Sequence, residues 1–168
     1  MRPLLVFLGL ALVLALPAGA VDLATNALVD IIPGISITQT TTLNFGVLVL
    51  NNGTVTISAT DGSYIDGSSL VYDNTNISQG VFNVDSNTGV DLTVTCTVGP
   101  MPAGLLLGSF TADWANAGAE APVPAPRTLA AMTEVLEIGA SLAIDRTTAS
   151  PTGDTPANLP DTVSVTFQ

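Results

Sequence analysis

Beyond its first twenty residues this chain places apolar side chains at every second position, in short runs broken by Gly, Pro, Asn and Asp. Period two is the repeat of a strand with one buried face, because successive side chains leave the backbone on opposite sides. A helix, with its 3.6-residue period, cannot gather the same stripe. Val21, Leu23, Ala27, Val29 and Ile31 fall at odd positions, mostly opposed by Asp22, Asn26 and Asp30. Ile35 and Ile37 follow Pro33-Gly34, and Leu43, Phe45, Val47 and Val49 are expected to line one face of the next segment. Asn51-Asn52-Gly53 reads as a hairpin turn into 54–60, with Val55, Ile57 and Ala59 facing inward. Further strands are expected over 81–85, 90–98, 105–111, 135–145 and 162–167. Asp61-Gly62, Asp66-Gly67, 85–89, Gly99-Pro100 and 151–154 supply the turn chemistry between them. The expected class is all-β: a single antiparallel β-sandwich domain, immunoglobulin-like or pilin-like, over residues 21–168.

Two stretches depart from this pattern. Residues 128–132 invite about one helical turn with Thr128 as its N-cap. Ahead of them, the alternating prolines of 121–126 require an extended, polyproline-like path. The connection 113–128 is therefore the candidate for a protruding functional loop.

The first twenty residues have a different logic. Arg2 precedes an apolar run from Leu4 to Leu16, then Pro17 and the small residues Ala18-Gly19-Ala20. Basic start, apolar centre and A-x-A ending mark an export signal over residues 1–20, too short for a membrane span. Cleavage after Ala20 leaves 148 residues, enough for one domain to bury a core without disulfides. The expected product is secreted, periplasmic or held at the cell surface, with no membrane span once the signal is gone.

Charge excludes most chemistry. Three arginines (Arg2, Arg127 and Arg146) stand against 14 Asp+Glu, histidine and lysine are absent, and the net charge is −11. A nucleic-acid partner needs a basic stripe, so none is expected. No Ser-His-Asp triad, His-ligated zinc, lysine Schiff base or Walker lysine can be built, and no Lys–Asn cross-link can stiffen the domain. Cys96 is the single cysteine and shares a face with Leu92, Val94 and Val98, so it reads as a small buried hydrophobe. The segment Asp85-Ser86-Asn87-Thr88-Gly89 begins like a calcium loop, but its glycine comes one position early and its twelfth position is Cys96. Asp61 to Asp66 and Asp73-Asn74-Thr75-Asn76 fit no better. A glycosidase needs two facing carboxylates, yet most acids here fall in turns or on solvent faces. Trp114 is the only tryptophan available to stack a sugar. Asn52-Gly53-Thr54 and Asn76-Ile77-Ser78 match the N-glycosylation pattern, which is common by chance. No catalytic, cofactor-binding or metal-binding residue is assigned, and no cofactor is expected.

Several phrases resemble a known exported bacterial family. Ile35-Ser36-Ile37-Thr38-Gln39-Thr40, leading into Leu43-Asn44-Phe45-Gly46 and then Gly53-Thr54-Val55-Thr56-Ile57, is similar to the opening of the domain of unknown function 4402 family. Val81-Phe82-Asn83-Val84, Leu92-Thr93-Val94, Ser109-Phe110 and Ile138-Gly139-Ala140-Ser141-Leu142 extend the resemblance, and Val163-Ser164-Val165-Thr166-Phe167 fits its last strand. Where a G-x-Y-x-G phrase is usual, this chain has the Pro-rich 155–160. The resemblance implies an exported β-sandwich, similar in outline to pilus or appendage subunits, without an assigned enzyme activity and with no catalytic residues to carry over.

Two functions are then compatible with the residues. One is a non-enzymatic structural or surface-interaction protein that self-associates or joins other surface proteins through edge strands. The alternative is a secreted binding module for a glycan or small ligand, using loops such as 113–128 or an aromatic pocket at Trp114, Tyr64 or Tyr72. Segment 21–31 either closes its own sandwich or adds to the open sheet of a neighbour.

Overall fold

The computed structural model describes residues 34–114, 118–149, 159 and 161–167. The expected signal at 1–20, the expected strand at 21–31 and the turn at 151–154 lie outside them. The described residues form twelve strands and no helix. These are β1 (Ser36–Thr41), β2 (Val47–Leu48), β3 (Gly53–Ile57), β4 (Tyr64–Asp66), β5 (Val71–Asp73) and β6 (Gly80–Asp85). They continue with β7 (Asp91–Val98), β8 (Leu105–Trp114), β9 (Ala121–Pro122), β10 (Ala125–Thr128), β11 (Thr133–Ile144) and β12 (Asp161–Phe167). Every strand pairing is antiparallel.

The organising element is β11, twelve residues long. One of its edges carries β8, from Leu136↔Trp114 to Ile144↔Leu105. The other edge is shared: β6 takes its first half up to Ile138↔Gly80, and β3 takes its second half from Ala140↔Ile57. Strand β1 extends the sheet beyond β6, β4 beyond β3 and β9 beyond β8. A three-stranded sheet, β10-β7-β12, and a two-stranded ribbon, β2-β5, complete the pairings.

The core has two parts, one over each half of β11. In the first, Phe82, Val84, Ala112, Trp114, Leu136 and Ile138 of the large sheet meet Leu92 and Val94 of β7 with Ala125 and Leu129. This is sheet-on-sheet burial, the defining contact of a sandwich. In the second, Val55, Ile57, Leu107, Ala140, Leu142 and Ile144 are covered by Phe45, Leu70 and the partly buried Leu43, Leu48, Leu50 and Val71. Val55, Ile57 and Ala59 are fully buried, as their alternation requires.

Three local expectations are corrected. Asn51-Asn52-Gly53 does not close a hairpin between flanking strands: β2 pairs with β5, while β3 pairs with β11 and β4. The chain changes layers there, and the Asn52 side-chain oxygen accepts the Arg146 N–H at 2.7 Å. Second, the stripe Leu43-Phe45-Val47-Val49 is broken at Gly46, whose φ of 73° reverses the alternation. Leu48 and Leu50 therefore join the core, and Val47 is left 51% exposed. Third, residues 128–132 form no helical turn. Thr128 ends β10 with its hydroxyl on Asp91, and the N–H groups of Ala130 and Ala131 are taken by the Glu134 carboxylate instead.

Candidate functional site

The expected protruding loop 113–128 is largely folded down. Asp113 and Trp114 finish β8 at 1% and 6% exposure. After Gly118 the chain returns as β9 beside β8, then crosses to the small sheet as β10 beside β7. This β9–β10 crossover closes one side of the sandwich over part of its length only. Strand β9 covers β8 at Thr111 and Ala112, and the Val123 N–H reaches the Phe110 carbonyl at 3.1 Å. Strand β10 covers β7 from Asp91 to Val94. Beyond these points, residues 106–109 of β8 and 95–98 of β7 have no strand beside them on that side among the described residues.

At the end of the closure lies a groove of about 410 Å³, lined by Cys96, Ser109, Phe110, Thr111, Pro122 and Val123. No charged side chain lines it. Ser109 adopts a φ of 49° where β8 bulges against β11, between Gly108↔Ser141 and Thr111↔Gly139. Beside it Leu106 is 68% exposed. Burial, followed by the Asp161 charge, pushes the Cys96 thiol up to about 11. The thiol is thus a half-buried apolar group of this wall and not a nucleophile. A second, shallower depression of about 470 Å³ opens between Gly34–Ser36, the 85–87 turn and Met132–Thr133.

The acidic turns hold themselves together. The Asp66 carboxylate accepts the N–H groups of Ser68 and Val71 at 3.1 and 2.7 Å, and backbone N–H groups led by Leu70 hold its carboxyl below the usual range. Side-chain hydrogen bonds do the same for Asp61 from Ser63, Asp73 from Thr75 and Asp145 from Thr147. Burial pushes Glu120 up, but Ser58 and the Thr60 N–H outweigh it and hold the carboxyl low. Glu134 follows the same pattern: burial is overcome by the Ala130 N–H and by Arg127, whose guanidinium lies 2.7 Å away.

One constellation was invisible along the chain. Asp113 and Glu137 stand directly opposite each other on β8 and β11, both buried. Cross-strand partners bring their Cβ atoms to about 5 Å. Burial, then the Asp113 charge, raises the Glu137 carboxyl, while Gln79 donates to it at 2.8 Å. Asp113 accepts the Gly118 N–H at 3.1 Å through one oxygen, and its other oxygen has no hydrogen-bond partner among the described residues. Two facing carboxylates are what glycoside hydrolysis requires. Neither of the two grooves is lined by this pair. Register alone produces the juxtaposition, and single-strand patterns carry no register.

The aromatic candidates do not form a platform. Trp114 is buried in the first core, with the Arg127 guanidinium 6.0 Å from its ring centre. Tyr64 and Tyr72 are exposed on β4 and β5, and neither they nor Trp114 line the two grooves.

Residues 35–163 match the family model described as Domain of unknown function (DUF4402). The chain belongs to that family. No curated protein and no solved structure matches it significantly. In this DUF4402 chain the two phrases that carry the resemblance are backbone devices. In Leu43-Asn44-Phe45-Gly46, the Asn44 side chain accepts the Gly46 N–H at 2.9 Å. A Cβ on Gly46 would lie 2.5 Å from the Asp73 carbonyl oxygen. In Ile138-Gly139-Ala140-Ser141-Leu142, Gly139 sits where β11 passes from β6 to β3, and a Cβ there would lie 2.3 Å from the Ile57 carbonyl oxygen.

Proposed function

We propose that this DUF4402 protein is an exported, non-enzymatic structural or surface-interaction protein, an appendage-like subunit that assembles through its sheet edges. The observation that carries the reading is the half-closed side of the sandwich, where β8 and β7 both run past the strands that cover them. Unpaired strand edges are templates for another chain, and proteins that work as monomers blunt them with charge, proline or a covering element. Among the described residues, 106–109 carry no charge, no proline and no covering strand, and the bulge at Ser109 is the one such device there. The composition agrees: without lysine or histidine, general-base and nucleophile chemistry that depends on either residue is closed to the chain. Trp114 is buried and offers no stacking face to the glycan-binding alternative, which is left with the exposed Tyr64 and Tyr72.

The test is to purify the chain from Val21 onward and follow its size by sedimentation velocity and electron microscopy over a range of concentrations. Filaments or defined oligomers are the expected result. A monomer at every concentration, with no affinity for the surface of the producing cell, overturns the reading.

A further inference from the structure

We propose that Asp113 and Glu137 share one proton across the β8–β11 pairing and that this proton latches a pH-sensitive closure. While it is held, β9 stays folded against β8; when it leaves, the cover at 118–123 loosens. The closure operates within one chain and does not depend on assembly.

Register brings the two acids together. They are direct cross-strand partners, so their Cβ atoms lie about 5 Å apart on one face of the sheet. That face points away from the first core, because Ala112, Trp114, Leu136 and Ile138 alternate with them into it. Both acids are nevertheless buried. Two carboxylates this close and shut off from water do not ionise together, since each charge would lose its hydration and gain a like-charged neighbour.

No cation stands ready to neutralise them among the described residues. Opposite Glu137 on β6 is Val81, and opposite Val81 on β1 is Thr41. Strand β1 carries no charge, and the one acid of β6, Asp85, pairs with Thr133 at the other end of the strand. The crossover brings another acid, Glu120, which accepts from Ser58, the Thr60 N–H and Thr111, two residues along β8 from Asp113. Asp61 is exposed in the turn whose Gly62 approaches Gln79. Of the arginines, Arg127 pairs with Glu134, and Arg146 follows the far end of β11. A proton supplies the missing positive charge.

The hydrogen bonds leave a place for it. Gln79 donates to Glu137 Oε1 at 2.8 Å, and the Gly118 N–H donates to Asp113 Oδ2 at 3.1 Å. Asp113 Oδ1 is buried with no partner among the described residues. A protonated Glu137 places an O–H donor directly across the pairing from it. Burial and the Asp113 charge, which raise the Glu137 carboxyl, act in the same sense.

The link to the cover runs through Asp113, whose other oxygen holds Gly118 where the chain returns toward β9. Strand β9 has two residues, paired at Thr111 and Ala112, and the Val123 bond to Phe110 is its continuation. An element with so few bonds opens first when its anchor is strained. Loss of the proton to solvent leaves two facing carboxylates, and only opening lets water reach them. The closed form binds the proton more tightly, so closure is complete below the ordinary range near 4.5 and weakens as pH rises through the closed-form value.

The experiment follows the chain from Val21 to Gln168 by NMR from acid to neutral pH. Carboxyl carbon shifts report the titration of Glu137 and Asp113, and amide exchange, corrected for its intrinsic pH dependence, reports protection at Gly118 and Val123. Asp113→Asn is expected to lower the Glu137 midpoint by about one pH unit or more. As Glu137 titrates in the native chain, protection at Gly118 and Val123 should fall by about tenfold while that of β11 holds. Glu137→Gln, which keeps the shape and a donor, should make protection at both amides independent of pH. A Glu137 midpoint unmoved by Asp113→Asn shows that burial alone raises it and overturns the shared proton. Protection that stays constant, or falls throughout the fold at once, overturns the latch. A midpoint that drops when calcium chloride is added marks a cation between the carboxylates and overturns the proposal as well. Should either variant fail to fold, the native chain decides: a shared proton makes both carboxyl signals move at the same two pH values, and independent single-step curves refute it.

Discussion

Gly139 shows how one residue can hold two halves of a sheet together. At this point β11 exchanges β6 for β3, and the departing backbone of residues 57–59 passes within contact distance of its Cα. A methyl group would meet backbone atoms, which cannot swing aside as a side chain can. Gly139→Ala is therefore expected to destabilise the fold by about 3 kcal/mol, lowering the melting temperature by roughly 10 °C; an unchanged melt would show that the strand end can move away. Cys96 gives a second residue-scale test. With its thiol raised from 9.0 to about 11, the thiolate fraction at pH 8 drops by about 100-fold. Alkylation of native protein should be slower than that of unfolded protein by at least that factor, and rapid labelling would place the thiol in water. Glu137 supplies a pH dependence. Its carboxyl is raised by burial and then by the Asp113 charge. The stability it contributes is therefore present below the ordinary carboxylate range near 4.5 and lost as pH rises through the folded value. Glu137→Gln should raise the melting temperature by about 2–4 °C at pH 7 and change it little at pH 4. The turn aspartates 61, 66, 73 and 145 act in the opposite sense: their lowered carboxyls stabilise above the ordinary range near 3.8, and that contribution is lost as pH falls.

At the scale of elements, the contrast between β11 and β1 dominates. Strand β11 has partners along both edges and core on one face; among the described residues β1 has one partner and is exposed throughout. Local opening costs least where few apolar contacts are broken. Amide exchange should accordingly be slowest in β11, close to the rate set by global unfolding, and faster by orders of magnitude in β1. Equal protection would mean that something covers β1. The β9–β10 crossover is the other decisive element. Its prolines remove N–H donors and keep both strands short, so the cover over β8 and β7 ends early. Among the described residues, the cover over β8 and β7 ends where the crossover ends.

At the scale of the molecule, the proposal of export has its own test. Protein recovered outside the cell is expected to begin Val21-Asp22-Leu23, which N-terminal sequencing would establish; a chain retaining Met1 would refute export by this signal. The expected cleavage after Ala20 would remove Arg2 and bring the net charge to −12, so that copies would repel one another except through uncharged surfaces. The half-closed side of the sandwich is such a surface.

Alternation by itself determined the all-β class, most strand positions, the inward face of β3 and that of β7 as far as Cys96, with Val98 left exposed, because side-chain direction in a strand is a local property of the backbone. It erred where the backbone left that regime. At Gly46 a positive φ moved the buried stripe from Val47 to Leu48 and Leu50. At 128–132 the Glu134 carboxylate took N–H groups that a helical turn would have capped differently. Which strands pair, that β11 is shared between β6 and β3, and that Asp113 faces Glu137 were decided only by tertiary structure. These are matters of register between segments far apart in the chain. Register depends on how two apolar faces fit together, and neither strand contains that information alone.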